Sequence, residues 1–258
     1  MVKYEKLIVE KQPGFVVAVI NNPPANALGQ PVLRDLNSLL DQCFSDEEVR
    51  AIVITGAGEK LFSAGADISE FSAIQDGSTP KISGHDLFLK IENYPKPIIA
   101  ALQGSAFGGG NELAMSCHLR ILSETAKIGL PEVKLGIIPG WGGTQRLPRL
   151  IGKTKALEVM ITGDPLSAGE ALSYGLVNIV VAADKVLDEA KTLAGKLAKG
   201  APIAIREILK AVTQGLNTTI EEGIKLEQGG SAVVFASEDA KEGGMAFFQK
   251  RAPQFKGK

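Results

Sequence analysis

Two glutamates and three glycine-rich turns are the residues of this sequence best suited to chemistry. Glu112 follows Gly108-Gly109-Gly110-Asn111. Glu132 comes 132 − 112 = 20 residues later, near the head of Leu130-Pro131-Glu132-Val133-Lys134-Leu135-Gly136-Ile137-Ile138-Pro139-Gly140-Trp141-Gly142-Gly143. A third turn, Phe62-Ser63-Ala64-Gly65-Ala66-Asp67-Ile68, follows an apolar run. Small residues where a strand passes into a helix let a ligand approach the main chain and leave N–H groups free to point at an anion. Two such groups converging on one oxygen form an oxyanion hole. Two carboxylates beside it supply a general acid and a general base. The set suits proton transfer next to a carbonyl. Each feature also has a structural reading: a glutamate in a first helical turn stabilises the helix dipole, and a glycine run permits tight packing. On the residues alone both readings stand.

Other chemistries fail on their residues. Gly152-Lys153-Thr154 resembles the end of a phosphate loop, but that motif needs glycine at position 147, which is leucine. Gly56-Ala57-Gly58 begins like a dinucleotide fingerprint, but Leu61 stands at its third glycine. Gly104-Ser105-Ala106 lacks the spacing of a nucleophile elbow. With only two histidines, His85 and His118, a histidine metal site or a Ser-His pair is not expected. Cys43 and Cys117 are too few for a disulfide framework and read as small buried residues of a protein from a reducing compartment.

The elements that must position these turns alternate. Strand-like runs are FVVAVI (15–20), AIVIT (51–55), PIIAAL (97–102), LRIL (119–122) and LVNIVV (176–181). Several are continuously apolar, as in strands covered on both faces. Between them lie helical patterns at 31–44 and 144–163, so the sequence predicts an α/β architecture. Beyond about residue 184 it reads as helical to the end, while Ser72–His85 reads as a long loop.

Lys and Arg number 28 against 29 Asp and Glu, which leaves no overall field to draw in nucleic acid or an anionic membrane. No apolar run approaches the roughly 18 residues of a membrane span. The first residues, MVKYEKLIVEKQPG, lack a signal peptide's apolar core. The expectation is a cytoplasmic protein, or an organellar matrix protein after removal of a transit peptide.

With those motifs in hand, the sequence resembles the crotonase (enoyl-CoA hydratase/isomerase) superfamily. The resemblance is carried by Asn22-Pro23-Pro24-Ala25-Asn26-Ala27-Leu28, the turn at 62–68, the segment at 104–113 and the stretch from 131 through Gln145-Arg146-Leu147. It ends at Ala246-Phe247-Phe248-Gln249-Lys250-Arg251 and runs in order over nearly the whole chain. It implies an α/β spiral of repeated ββα units over residues 1–195 and a helical trimerisation region over 196–258. The assembly it implies is a homotrimer, or a hexamer formed by two trimers.

The resemblance further implies an oxyanion hole from the N–H groups of Ala66 and Gly109. Ala64, Asp67 and Ile68 would line the path of coenzyme A, with Lys60 facing its phosphates. Gly140 would lie beside the reacting carbons, and Trp141 would shape the acyl site. Phe247 and Lys250 would meet coenzyme A bound to an adjacent protomer. The implied activity is that of an enoyl-CoA hydratase: syn addition of water to a trans-2-enoyl-CoA in fatty-acid β-oxidation, giving the 3-hydroxyacyl-CoA. Glu112 would act as base and Glu132 as acid, the reverse assignment remaining open. No metal or redox cofactor is implied, since coenzyme A arrives as part of the substrate. Rival readings are a Δ3,Δ2-enoyl-CoA isomerase and a hydratase of branched or aromatic acyl groups. A remoter rival is an RNA-binding family member. Against the last, Ser69–Lys96 carries Lys81, Lys90 and Lys96 beside Glu70, Asp76, Asp86 and Glu92.

Overall fold

Continuous apolar runs become strands whose alternate residues enter two different hydrophobic layers. The computed structural model describes residues 3–70 and 82–258. Its strands, in chain order, are β1 (Leu7–Gln12), β2 (Phe15–Ile20), β3 (Ala51–Gly56), β4 (Leu61–Ser63), β5 (Ile98–Leu102), β6 (Ser105–Phe107), β7 (Leu119–Ser123), β8 (Lys127–Gly129), β9 (Leu166–Ser167) and β10 (Ile179–Val181). A six-stranded sheet runs β1-β2-β3-β5-β7-β10. Only its β1–β2 hairpin is antiparallel. Ile52, Ile54, Ile98, Ala100 and Leu102 enter the larger core. Their neighbours Ala51, Val53, Ile99 and Ala101 face the opposite layer. With both faces covered, these strands need no polar alternation.

The helices are α1 (Gln30–Ser45), α2 (Gly84–Glu92), α3 (Gly109–Ser116), α4 (Gly143–Ile151), α5 (Lys153–Thr162), α6 (Ala168–Ser173), α7 (Val186–Ala198), α8 (Pro202–Gly215), α9 (Ile220–Phe235) and α10 (Glu238–Phe248). Helix α1 buries Val32, Leu33, Leu36, Leu39, Leu40 and Cys43 in the larger core, one apolar stripe at helical spacing. Helix α7 covers the other sheet face through Val186, Ala190 and Ala194. Alanine every fourth residue lets its axis lie close to the strands.

A second sheet, β4-β6-β8-β9, forms the site. Its strands are two or three residues long, too short to give a periodic signal. Successive pairs β3–β4, β5–β6 and β7–β8 place one strand in each sheet and step one position along both, which winds the chain into a spiral. The β4–β6 and β6–β8 pairings are parallel, so the three chain segments leave the sheet at the same end. The three glycine-rich turns are those exits.

Several expectations need adjustment. The pattern at 144–163 forms two helices, because Gly152 breaks it at φ 80° and ψ 154°. Of the run 176–181 only Ile179–Val181 pairs as a strand, although Leu176 and Val177 are buried. The expected loop at 72–85 falls mostly outside the described residues; its end is not loop, since the Ser83 hydroxyl accepts from the His85 N–H and starts α2. From Pro202 onward the chain is helical to Phe248, with α8 and α9 packed on each other. Ile208, Val212, Leu216, Phe235, Phe247 and Phe248 on these helices are exposed.

Ala194→Leu should overpack the interface between α7 and the sheet and lower the free energy of unfolding by about 1–3 kcal/mol. Urea denaturation with an unchanged slope measures the loss; a variant as stable as the parent would mean that the helix is not closely seated.

Candidate active site

The first exit turn is clamped by the segment before α1. Ser63 Oγ donates to the Asn26 carbonyl at 2.8 Å and accepts from the Gly65 N–H at 3.1 Å. Asn26 Nδ2 donates to the carbonyls of Ala57 and Leu61 at 2.9 and 3.1 Å. The Ala64 N–H donates to Ala25 O at 3.0 Å, and Leu28 N–H to Gly65 O at 2.8 Å. These bonds use the main-chain groups around Ala66 and leave its own N–H without an acceptor among the described residues. Gly65 sits at φ 107°, where a side chain would be strained.

The second turn supplies the other N–H. Gly108 donates to Gly129 O at 3.0 Å and adopts φ 53°, ψ −128° as it caps α3. The Gly109 N–H, first of the helix, likewise has no acceptor among the described residues. Parallel pairing of β4 with β6 sets the two turns side by side: a β-carbon on Gly109 would lie only 3.0 Å from the Ala66 nitrogen. At its other end α3 is closed by buried Arg120, which donates to Cys117 O at 2.6 Å and to Leu176 O at 2.7 Å. Carbonyls crowd a helix C-terminus, so a cation there completes the helix.

Glu112, on the first turn of α3, is 2% exposed. Its Oε1 accepts from the N–H groups of Trp141 and Gly143, each at 2.7 Å. Burial pushes its proton affinity above the usual carboxylate value; those two N–H groups and the charges of Arg146 and His85 pull it back. Glu132 opens a short 3-10 turn and is also buried. Burial pushes its pKa up to about 7; its own main-chain N–H opposes the rise and the nearby Glu112 carboxylate adds to it. Its Oε2 is buried without a hydrogen-bond partner. Both carboxylates line one cleft of about 210 Å³ with Ala66 and Gly109.

Ala64, Ile68, Gly140 and Trp141 also line this cleft. The Trp141 ring packs edge-on against Phe88 at 5.5 Å and would collide with a β-carbon on Gly109. Lys60 and Asp67 are not among the lining residues; Asp67 Oδ1 instead accepts from the Ser69 hydroxyl at 2.7 Å. Phe247, in the last turn of α10, and Lys250, just beyond it, are exposed and are not among the residues that line this cleft. Apolar Leu135, Ile137 and Ile138 complete the wall. They were visible as leucine and isoleucines inside a glycine-rich stretch, but no spacing marked them as lining. Neither Arg120 nor Arg146 was given a role from the sequence, since each also bonds a partner far along the chain, Leu176 at 56 residues and Glu92 at 54.

Of the lysines weighed for RNA binding, Lys90 bonds Asn37 and Asp41, and Lys96 donates to the carbonyls of Cys43 and Asp46. Lys81 and Asp76 lie outside the described residues. Among the described residues no helix is long and apolar enough to cross a membrane. Nor does any group of three His, Cys, Asp or Glu gather there as a metal site. Cys43 and Cys117 are buried and unpaired with each other.

A spiral carrying two free N–H groups and two buried glutamates at the ends of its inner strands defines a class. The chain belongs to the enoyl-CoA hydratase/isomerase family, whose model matches residues 10–258. Over 245 residues it is 50% identical to a Bacillus subtilis (strain 168) protein named probable enoyl-CoA hydratase, covering 93% of this chain and 95% of that one. It is 41% identical over 256 residues to the crotonyl-CoA hydratase of Syntrophomonas wolfei subsp. wolfei, covering 98% of both chains. The crystal structure of an enoyl-CoA hydratase from Bacillus anthracis superposes with a TM-score of 0.93 at 38% identity, over 98% of this chain and all of that one. The crotonase fold expected from the sequence is thus the fold observed.

The Glu132 environment sets a pH-dependent stability. Folding raises its pKa from 4.5 to about 7, so its contribution is fully present below about pH 4.5 and lost as pH rises through about 7. Above that, the folded state carries a buried carboxylate. Glu132→Gln should therefore raise Tm relative to the parent near pH 8 and leave it unchanged near pH 4. Equal Tm differences at both pH values would contradict the buried-carboxyl assignment.

Proposed function

We propose that the protein is an enoyl-CoA hydratase, adding water across the double bond of a trans-2-enoyl-CoA. The carrying observation is the unequal pair of buried carboxylates beside two unpaired main-chain N–H groups. Conjugation with a thioester makes Cβ electrophilic, and attack by water throws negative charge onto the thioester oxygen. The Ala66 and Gly109 N–H groups receive that oxygen; one such donor is typically worth about 2.7–4 kcal/mol in the transition state. Glu112, whose ionised form two N–H donors favour, takes a proton from water as the oxygen bonds to Cβ. Glu132, protonated near neutral pH, gives its proton to Cα. The product is the 3-hydroxyacyl-CoA, and one proton must pass back from Glu112 to Glu132 before the next turnover.

The cleft supports an acyl end rather than a whole nucleotide. At about 210 Å³ it falls below the roughly 300–1,000 Å³ typical of drug-sized ligands. The nucleotide of coenzyme A would extend outside, past Ala64, Asp67 and Ile68 towards Lys60. Short acyl chains fit this size and the names of the relatives from Syntrophomonas wolfei and Clostridium acetobutylicum, crotonyl-CoA hydratase and short-chain-enoyl-CoA hydratase. The exposed apolar residues of α8, α9 and α10 support self-association, in which Phe247 and Lys250 reach coenzyme A held by a neighbouring copy. Hydration of a 2-enoyl-CoA is a step that fatty-acid β-oxidation requires, which supports a role there.

Glu112→Gln and Glu132→Gln should each lower kcat for crotonyl-CoA hydration by at least about 10²-fold. Coenzyme A affinity should change little, because the amide keeps the shape. Near-normal turnover in either folded variant would defeat the two-glutamate mechanism, and release of 2-enoyl-CoA from a 3-enoyl-CoA as the faster reaction would favour the isomerase. Gly109→Val places carbon within 2.7 Å of the Trp141 ring and crowds the thioester. It should abolish hydration while circular dichroism stays native; unchanged kcat/KM would sink the oxyanion assignment.

A further inference from the structure

The two N–H groups on Glu112 come from a turn whose one side chain, Trp141, packs on Phe88. Gly140, Trp141, Gly142 and Gly143 offer one side chain among four residues, and glycines leave a main chain free to wander. Yet both N–H groups meet the same carboxylate oxygen at 2.7 Å.

Arg146, one turn into α4, reaches back to this segment. Its Nη1 donates to the Trp141 carbonyl at 2.9 Å, and its own N–H donates to Gly142 O at 2.9 Å. Its Nη2 donates at 2.8 Å to Glu92 Oε2, on the last turn of α2. The Arg146 side chain is 10% exposed against 30% for Glu92. The guanidinium plane is thus fixed on one edge by a carboxylate and grips the turn with the other. Gly142, at φ 103°, leaves the necessary room: a β-carbon there would run into Arg146 Nη1.

We infer that Arg146 is a positioning residue, which with Glu92 as its anchor holds the Trp141 and Gly143 N–H groups on Glu112. This deepens the reading of Glu112 as the base and rests on it. Arginine suits the task because its planar fork bonds two acceptors in fixed geometry, which a lysine cannot do. Among the described residues, the charged or titratable groups that bear on Glu112 are Arg146 from α4, His85 from α2 and Glu132 from the 3-10 turn. Arg146 therefore acts on Glu112 twice, by charge and by geometry, and the two can be separated.

The test is a pH titration of ligand-free enzyme containing glutamate 13C-labelled at the side-chain carboxyl, with the Glu112 resonance assigned by its loss in Glu112→Gln. Arg146→Gln should raise the Glu112 midpoint by on the order of one unit, a tenfold change in proton affinity. It should also lower kcat for crotonyl-CoA by roughly tenfold with little change in KM. Arg146→Lys keeps the charge but loses the fork, and its midpoint should remain raised; full recovery by lysine would overturn the inference in favour of bare charge. Glu92→Gln, at a half-exposed position, keeps Arg146 and serves if the arginine variants do not fold. Removing a carboxylate would by charge alone lower the Glu112 midpoint. The positioning role requires that it rise, and a fall or no change overturns it. The titration needs no substrate, so a failed hydration assay would count against the proposed reaction while leaving this result to be judged separately.

Discussion

A main-chain N–H buried without an acceptor costs about 1–3 kcal/mol, and a folded chain tolerates it only where the surroundings fix it. Here the N–H groups of Ala66, which is partly exposed, and Gly109 have no acceptor among the described residues, and both residues line one cleft where a ligand would take them out of water. The rest of the structure can be followed outward from them. Parallel β4 and β6 bring their turns together; Gly65 and Gly108 take positive φ so that the following N–H groups turn inward. The bonds from Ser63, Asn26 and Leu28 use the neighbouring polar groups, and Arg120 closes the far end of the helix that Gly109 begins. The large sheet contributes no lining residue to the cleft, yet its strands β3, β5 and β7 set where β4, β6 and β8 start.

The carboxylates gain their difference from the same economy of main-chain groups. Both are buried, which alone would favour the neutral form of each. Glu112 receives two N–H donors from the 140–143 turn, while one oxygen of Glu132 receives no hydrogen bond. The mutual repulsion of neighbouring carboxylates then favours a single proton shared unequally. The asymmetry is written in backbone geometry more than in side-chain chemistry, since the two residues are of one type.

That division explains what could be read from the residues. FVVAVI, AIVIT and PIIAAL are strands because they are apolar at nearly every position, and they lie where their composition places them. The glycine turns were legible because few residues other than glycine accept such backbone conformations. Strands of three residues such as β4 and β8 were not, for no periodicity fits in so short a run. Gly152 inside 144–163 permits either a continuous or a broken helix, and only tertiary packing chose the break. Glu112 and Glu132 were visible individually, and their shared cleft followed from resemblance. The Glu92–Arg146–Trp141 connection spans 54 residues between its charged partners and could not be seen locally.

The spiral has a consequence for how such an enzyme diversifies. Glu112, the proposed base, sits on the helix after β6, and Glu132, the proposed acid, on the turn after β8, one winding later. The proposed pocket for the thioester oxygen is assembled from the β4 and β6 windings and owes nothing to Glu132. An inherited change in the β8 winding can therefore rewrite the proton's route while the activation of the thioester passes on intact. Electrophile and proton relay are separately heritable, and a lineage built on this architecture can try new reactions on an old class of substrate without first giving up its grip on it.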